Sequence, residues 1–235
     1  MEVLHVAAID LESNSGMGRI GFEWKKAFEK QGHTVIHIGK KEIAKLVHPL
    51  LFGWEVRKEI KARKLCPDII LAHEPVAGFL KFNNIPLVVY SHGVEERDWQ
   101  KRNQYKYANT SFKSGLIPRT VRFFSNNRGF KKASTILLSN TEDKEYLTMK
   151  GIQSDKLTVF KNGYYPYEIE RQNRNEISFL FNATWIARKG TVVIAKAFNE
   201  ILSKHQDVRL VLAGTKCPDE VVYAQFSDKV KANVL

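Results

Sequence analysis

The chain has 235 residues, 43% hydrophobic and 26% charged, an ordinary soluble globular composition with room for one large domain or two small ones. It holds no run of the ~20 apolar residues a membrane helix requires, and its opening "MEVLHVAAIDLES" carries Glu2 and Asp10 where a signal peptide would be basic. The formal charge of +12 excludes neither an anionic ligand nor an anionic surface as partner, while Cys66 and Cys217 lie too far apart for a metal motif or a disulfide framework and read as buried or idle thiols of a cytoplasmic protein.

Taken in chain order, the apolar runs "EVLHVAAI" (2–9), "TVIHIG" (34–39), "DIILAH" (68–73), "PLVVYSH" (86–92), "TILLSN" (135–140) and "LTVFKNG" (157–163) predict strands. Helical patterns lie between them. In Arg19–Gln31, Ile20, Trp24, Ala27 and Phe28 make one stripe, and Gly32 follows as a stop. Strands of this kind alternating with helices predict an α/β fold with a parallel sheet covered on both faces. The polar, proline-bearing "YYPYEIERQNRNE" (164–176) reads as a linker. The pattern then restarts with a strand at 177–183, a helix at about 189–205, a strand at 208–214, a helix near 219–229 and "ANVL" opening a third strand. The expected domains are 1–165, Rossmann-like, and 166–235, a partial second unit of the same kind.

Four short stretches are candidates for chemistry. "GMGRIG" (16–21) has glycine spacing that lets a phosphate approach a helix N-terminus. The gap "LESNS" and the absence of an acid after the second strand argue against a nicotinamide or flavin site, leaving either an anion- or sugar-binding loop around Gly16 and Gly18 or a plain turn. "YSHGVEERDW" (90–99) places His92 and Glu95 at the carboxyl edge of the sheet, where open α/β folds bind ligands. "FKNG" (160–163) brings Asn162 and Gly163 to the end of the first domain, either as a tight turn or at a ligand cleft. "WIARKG" (185–190) sets Arg188, Lys189 and Gly190 where a strand hands over to a helix. Cations beside free backbone N–H groups suit a phosphate, although solvated charges are the plainer reading.

From Lys101 to Lys132 nine Lys or Arg occur without an acid, among them Lys101, Arg102, Lys106, Arg119 and Arg122, interleaved with aromatics. This is either an anion-attracting surface or a solvated basic face with its aromatics turned inward.

Together these stretches resemble a retaining glycosyltransferase of the GT-B fold, family four (glycosyl transferases group 1). The likeness rests on the Gly-bearing opening ending "GHTV", on "SHG" (91–93), on "LLSNTEDKEYLTMKGIQSDKLTVFKNGY" (137–164), on "FLFNATWIARKG" (179–190) and on "LVLAGT" (210–215). It implies hexosyl transfer, with retention, from a nucleotide diphosphate sugar to a glycan or lipid-linked acceptor, with no metal and no cofactor. Lys189 would hold the donor diphosphate, Gly16 and Gly18 would approach the transferred sugar or phosphate, and His92 would contact sugar or acceptor. The family's arginine falls at Thr184, with Arg188 as a substitute. The basic stretch, with Glu95, falls where acceptor or an anionic inner membrane face would meet a peripheral enzyme. The family's E-x7-E acids would lie beyond Leu235, so the resemblance also implies an incomplete donor site. That leaves three alternatives, a fragment of a longer enzyme, a second chain completing the site or a non-catalytic binding module; nucleic acid is not expected as a partner.

Overall fold

The computed structural model describes residues 1–13, 16–43, 48–80, 84–104, 116–163 and 177–235, with the side chains of 102–104, 116, 117 and 188 outside that description. The chain divides into two compact units. The first holds the described residues up to 163 and the second those from 177 onward.

The first unit is a six-stranded parallel sheet in the order β2-β1-β3-β4-β5-β6. The strands are β1 (Glu2–Val6), β2 (Thr34–Ile38), β3 (Ile69–His73), β4 (Leu87–Ser91), β5 (Thr135–Leu138) and β6 (Leu157–Val159). All but β3, which ends at His73 as expected, stop short of their expected C-terminal limits, because the last residues of those apolar runs leave the ladder and build the carboxyl edge. The helices are α1 (Gly16–Lys30), α2 (Phe52–Ala62), α3 (Glu95–Gln104), α4 (Leu116–Lys132) and α5 (Thr141–Met149). The strand order reverses between β1 and β3, which makes that point a topological switch, the usual ligand crevice of such sheets.

Side-chain alternation sorts the strands between two cores. Leu4, Val6, Ile38, Ile70, Ala72, Val89, Ile136 and Leu138 pack on one face with Phe52, Val56 and Ile60 of α2, Phe130 of α4 and Leu147 of α5. On the other face Val3, Val35, Leu71 and Tyr90 pack under Ile20, Trp24 and Phe28 of α1. The expected α1 stripe holds except at Ala27, which is exposed. Gly21 lets α1 come down onto the sheet. A Cβ there would stand 2.6 Å from Leu11 Cδ2 and 2.7 Å from His5 Cε1.

In the second unit β7 (Ile177–Asn182) pairs in parallel with β8 (Val208–Ala213) over α6 (Thr191–Lys204), α7 (Asp219–Tyr223) and α8 (Asp228–Lys231). The single helix expected at 219–229 is thus two short ones. The expected third strand appears as a parallel bridge between Leu210 and Val234. Phe181, Trp185, Ala195, Phe198 and Leu210 form the core, while Ile177 (60%) and Leu180 (68%), on opposite faces of β7, stay exposed. Cys66 is exposed rather than buried. Among the described residues no helix is long and apolar enough to cross a membrane.

Candidate functional site

The carboxyl edge of the first sheet is built from imidazoles. On the α1 face the inward positions run Val3, His5 on β1; Val35, His37 on β2; Leu71, His73 on β3; and Tyr90, then His92, on and after β4. Alternation therefore puts a histidine on the same face of four neighbouring strands, His5 level with His37, His73 two residues further along β3 and His92 two residues beyond the partner of His73. They touch in sequence: His37 Nδ1 lies 3.1 Å from His5 Nδ1, His5 Nε2 3.0 Å from His73 Nε2, and His73 Nδ1 3.1 Å from His92 Nε2. His5 and His73 are buried. Trp24 of α1 lies edge-on over His5, His73 and Tyr90 and shuts them from water. Burial, and then the neighbouring imidazole, lowers His5 to about 3. Burial likewise holds His73 well below the usual histidine range and lowers His37 and His92. The array is neutral at pH 7. Each contact uses a different pair of nitrogens, and among the described residues no three His, Cys, Asp or Glu side chains converge as a metal would require.

Glu74 follows His73 at the switch point. Its Oε1 accepts from Ser91 Oγ at 2.8 Å. The residue as a whole keeps some exposure, yet Oε2 is closed off from solvent without a partner among the described residues. Burial pushes the carboxyl up to about 8, so near neutrality Glu74 is an acid rather than a carboxylate.

The loop carrying His92 is pinned from below. Asp143, 1% exposed, accepts from Val94 N–H (3.2 Å), Arg97 Nη1 (2.6 Å) and Asn140 Nδ2 (2.8 Å). Asn140 in turn caps α5 by accepting from the Asp143 N–H at 2.8 Å. Asn162 donates to Tyr90 Oη at 2.9 Å, and the Tyr90 and His92 rings are 4.6 Å apart. Asn162 and His92 are therefore brought together through Tyr90. Gly163 is exposed and makes no close approach.

The glycine motif is not a loop. Helix α1 begins at Gly16, so Gly16 and Gly18 sit in its first turn, Gly16 exposed and Gly18 buried. Residues 14 and 15 lie outside the described residues.

In the second unit Ala187–Lys189 form a 3-10 turn and α6 starts only at Thr191, two residues later than expected. Gly190 joins them at φ 80°, a conformation that favours glycine, and no side chain caps α6. The first turn of α6 has no acid, and Lys189 is exposed beside it. That is a phosphate-compatible helix start. The Arg188 side chain lies outside the description.

The aromatics of the basic stretch point both inward and outward. Phe130 is core, whereas Phe124 is 69% exposed. Arg122 pairs with Glu95 Oε2 (Nη2 2.9 Å), and Arg119 stands over the Trp99 ring at 5.3 Å. Lys101 is exposed; Arg102 lies in α3; Lys106 lies outside the described residues. Because Glu95 is spent on Arg122, the pair offers a ligand less charge than the sequence count implies.

Sequence reasoning singled out His92 and missed His5, His37, His73, Glu74 and Asp143. The signal was present, since "LHV", "IHI", "LAHEP" and "SHG" each put a histidine on the same parity of an apolar strand.

Against known proteins, the profile described as Glycosyltransferase Family 4 matches residues 14–166. The chain belongs to this family. Among curated proteins none matches in sequence. Solved structures of the same GT-B fold include the Staphylococcus aureus MnaA–UDP co-structure, with a TM-score of 0.62 and 15% identity over 99% of this chain and 67% of that one. A UDP-GlcNAc 2-epimerase from Neisseria meningitidis bound to UDP-GlcNAc gives 0.56 and 14% over 100% and 71%. The lipopolysaccharide outer core galactosyltransferase WaaB, in its apo form, gives 0.57 and 11% over 100% and 67%. This family member thus has the GT-B α/β fold, and it spans about two thirds of the length of these relatives.

Proposed function

We propose that the chain binds a nucleotide diphosphate sugar, with UDP as the favoured nucleotide, and takes part in retaining hexosyl transfer to a glycan or lipid-linked acceptor. The observation that carries this reading is the family four match across 14–166, a stretch whose carboxyl sheet edge carries Glu74 after β3, His92 after β4 and Asn162 after β6. The acceptor hydroxyl would meet His92. The donor diphosphate would meet Lys189 and the first N–H groups of α6, where cation and helix start both favour negative charge. MnaA with UDP and the Neisseria epimerase with UDP-GlcNAc support uridine as the base. Because this fold also carries an epimerase, the products to follow are both released UDP and a 2-epimeric sugar.

On this reading Lys101, Arg102, Lys106 and Arg119 would face an anionic acceptor or the anionic inner leaflet, making the protein cytoplasmic and peripheral. The exposure of Ile177 and Leu180 on the two faces of β7 supports the version in which a further polypeptide completes the donor unit.

Calorimetric titration with UDP, GDP and their sugars tests the reading. UDP should bind, and Lys189→Ala should weaken it at least tenfold, the loss of one charge-assisted contact of about 1.5–3 kcal/mol. Equal affinity in the variant would remove Lys189 from the site.

A further inference from the structure

Four of the seven histidines form one chain whose direction can be read from its end. His37 Nε2 lies 3.2 Å from the carbonyl oxygen of Ile9, which can only accept, so Nε2 carries the hydrogen. In the neutral ring His37 Nδ1 is then a lone pair, and His5 must donate to it from Nδ1. His5 Nε2 is left as acceptor, so His73 donates from Nε2. His73 Nδ1 is left as acceptor, so His92 donates from Nε2. The outcome at the far end is fixed. His92 Nδ1, which has no partner among the described residues, is a lone pair.

Adding one proton reverses every step. If His37 carries both hydrogens, its Nδ1–H faces His5 Nδ1, which must accept. His5 then donates from Nε2, His73 from Nδ1, and His92 accepts at Nε2 and holds its hydrogen on Nδ1. The same state results when a proton enters at His92 Nδ1: the His92 Nε2–H bond breaks as His73 Nδ1–H forms, His73 Nε2–H as His5 Nε2–H forms, and His5 Nδ1–H as His37 Nδ1–H forms. One proton enters, three shift, and the charge rests on His37.

We infer that the four histidines are a single proton-switched chain, in which His37, His5 and His73 position His92 and set whether its outer nitrogen accepts or donates a hydrogen bond. Neutral, it accepts from a ligand hydroxyl. With a proton at His37, it donates to a phosphate or carboxylate oxygen. That ligand half rests on the sugar-transfer reading, whereas the switch does not.

Geometry places the charge at His37. His37 Nε2 and Glu42 Oε2 lie 2.5 and 2.9 Å from one point, the place a Gly39 Cβ would occupy. A glycine is what admits both groups there. Burial opposes the cation most, as do Lys25 of α1 and the His5 ring, while Glu42 and Asp10, the latter also paired with Lys41, favour it. At the other end His92 has weaker support. Its neighbour Glu74 is held protonated, Asp143 is neutralised by Arg97, Glu95 is paired with Arg122, and Tyr90 contributes no charge.

Long-range proton–nitrogen correlation spectra of the ring-labelled chain, without ligand, read this directly from about pH 8 down to about pH 5.5. At high pH His5 should be alone among the four in carrying its hydrogen on Nδ1. On acidification His37 should become the imidazolium. In the same step the Nδ1 resonances of His73 and His92 should pass from the pyridine to the pyrrole range and His5 Nδ1 the opposite way. His37→Phe should abolish that concerted exchange. A His5 hydrogen on Nε2 at high pH, or an imidazolium forming at His92 while His37 stays neutral, would overturn the inference. So would a His92 tautomer whose pH response is unchanged in His37→Phe. The wild-type spectra decide without the variant. Failure of UDP binding would sink the sugar-transfer reading and leave the switch standing.

Discussion

Acidification from about pH 7 to about pH 4.5 should cost the Glu74→Gln variant about 5 kcal/mol of stability, and wild type only about half of that. The histidines set the first number. Unfolded, each takes up a proton below about pH 6.5. Folded, His5 does so only near about 3 and His73 stays well below its usual range. The unfolded chain therefore binds more protons as pH falls, and stability drops by about 1.4 kcal/mol per pH unit for each ring. Two rings over about two units give the loss. Glu74 acts with opposite sign. Its folded value is raised to about 8, so the folded state keeps a proton that the unfolded carboxyl sheds above about pH 4.5. That contribution is present at low pH and is lost as pH rises through about 8. In wild type it offsets part of the histidine loss, and glutamine removes the offset while still accepting from Ser91 Oγ. Denaturant midpoints across the pH range check both curves; parallel curves for the two proteins would show that Glu74 ionises normally.

The second large effect is at Asp143. Replacing it with alanine should destabilise the first unit by about 3–5 kcal/mol, because it leaves Arg97, whose side chain is only 15% exposed, without its main counter-charge. It also frees the Val94 N–H and the Asn140 amide. Arg97→Ala in the same background should then cost far less than it does alone, since the pair is one unit. Urea titration of the two single variants and the double variant measures that coupling. Purely additive losses would mean the brace is not shared.

The fold was legible because its signals are local and repeated. Val, Ile and Leu runs closed by polar turns marked all eight strands, and Trp24 with Ile20 and Phe28 marked the helix that covers the sheet. Ends were less legible. The expected strands overran because "AAI" after Val6 and "NG" after Lys161 are apolar or turn-like in sequence but lie beyond the last ladder pair. Gly16 and Gly18 read as a loop, yet they can also start a helix when Gly21 allows a close approach to His5. The site was legible only at His92, which stands beside a glycine. His5, His37 and His73 each look like a polar interruption of a core strand. What joins them is the parallel register of β2, β1 and β3, a property of the sheet rather than of any one segment. Glu74 is perturbed by closure of its surroundings, and Asp143 is tied to Arg97, a partner 46 positions away.

We propose that this family four chain holds a UDP-sugar at Lys189 and the start of α6 and that His92 meets the acceptor. Backbone amide spectra of the labelled chain titrated with UDP-glucose test it most directly. Saturable shifts are expected at Lys189, Gly190 and Thr191, and Lys189→Ala should remove them. Saturable shifts confined to other segments, or none at any concentration while the chain remains folded, would contradict it.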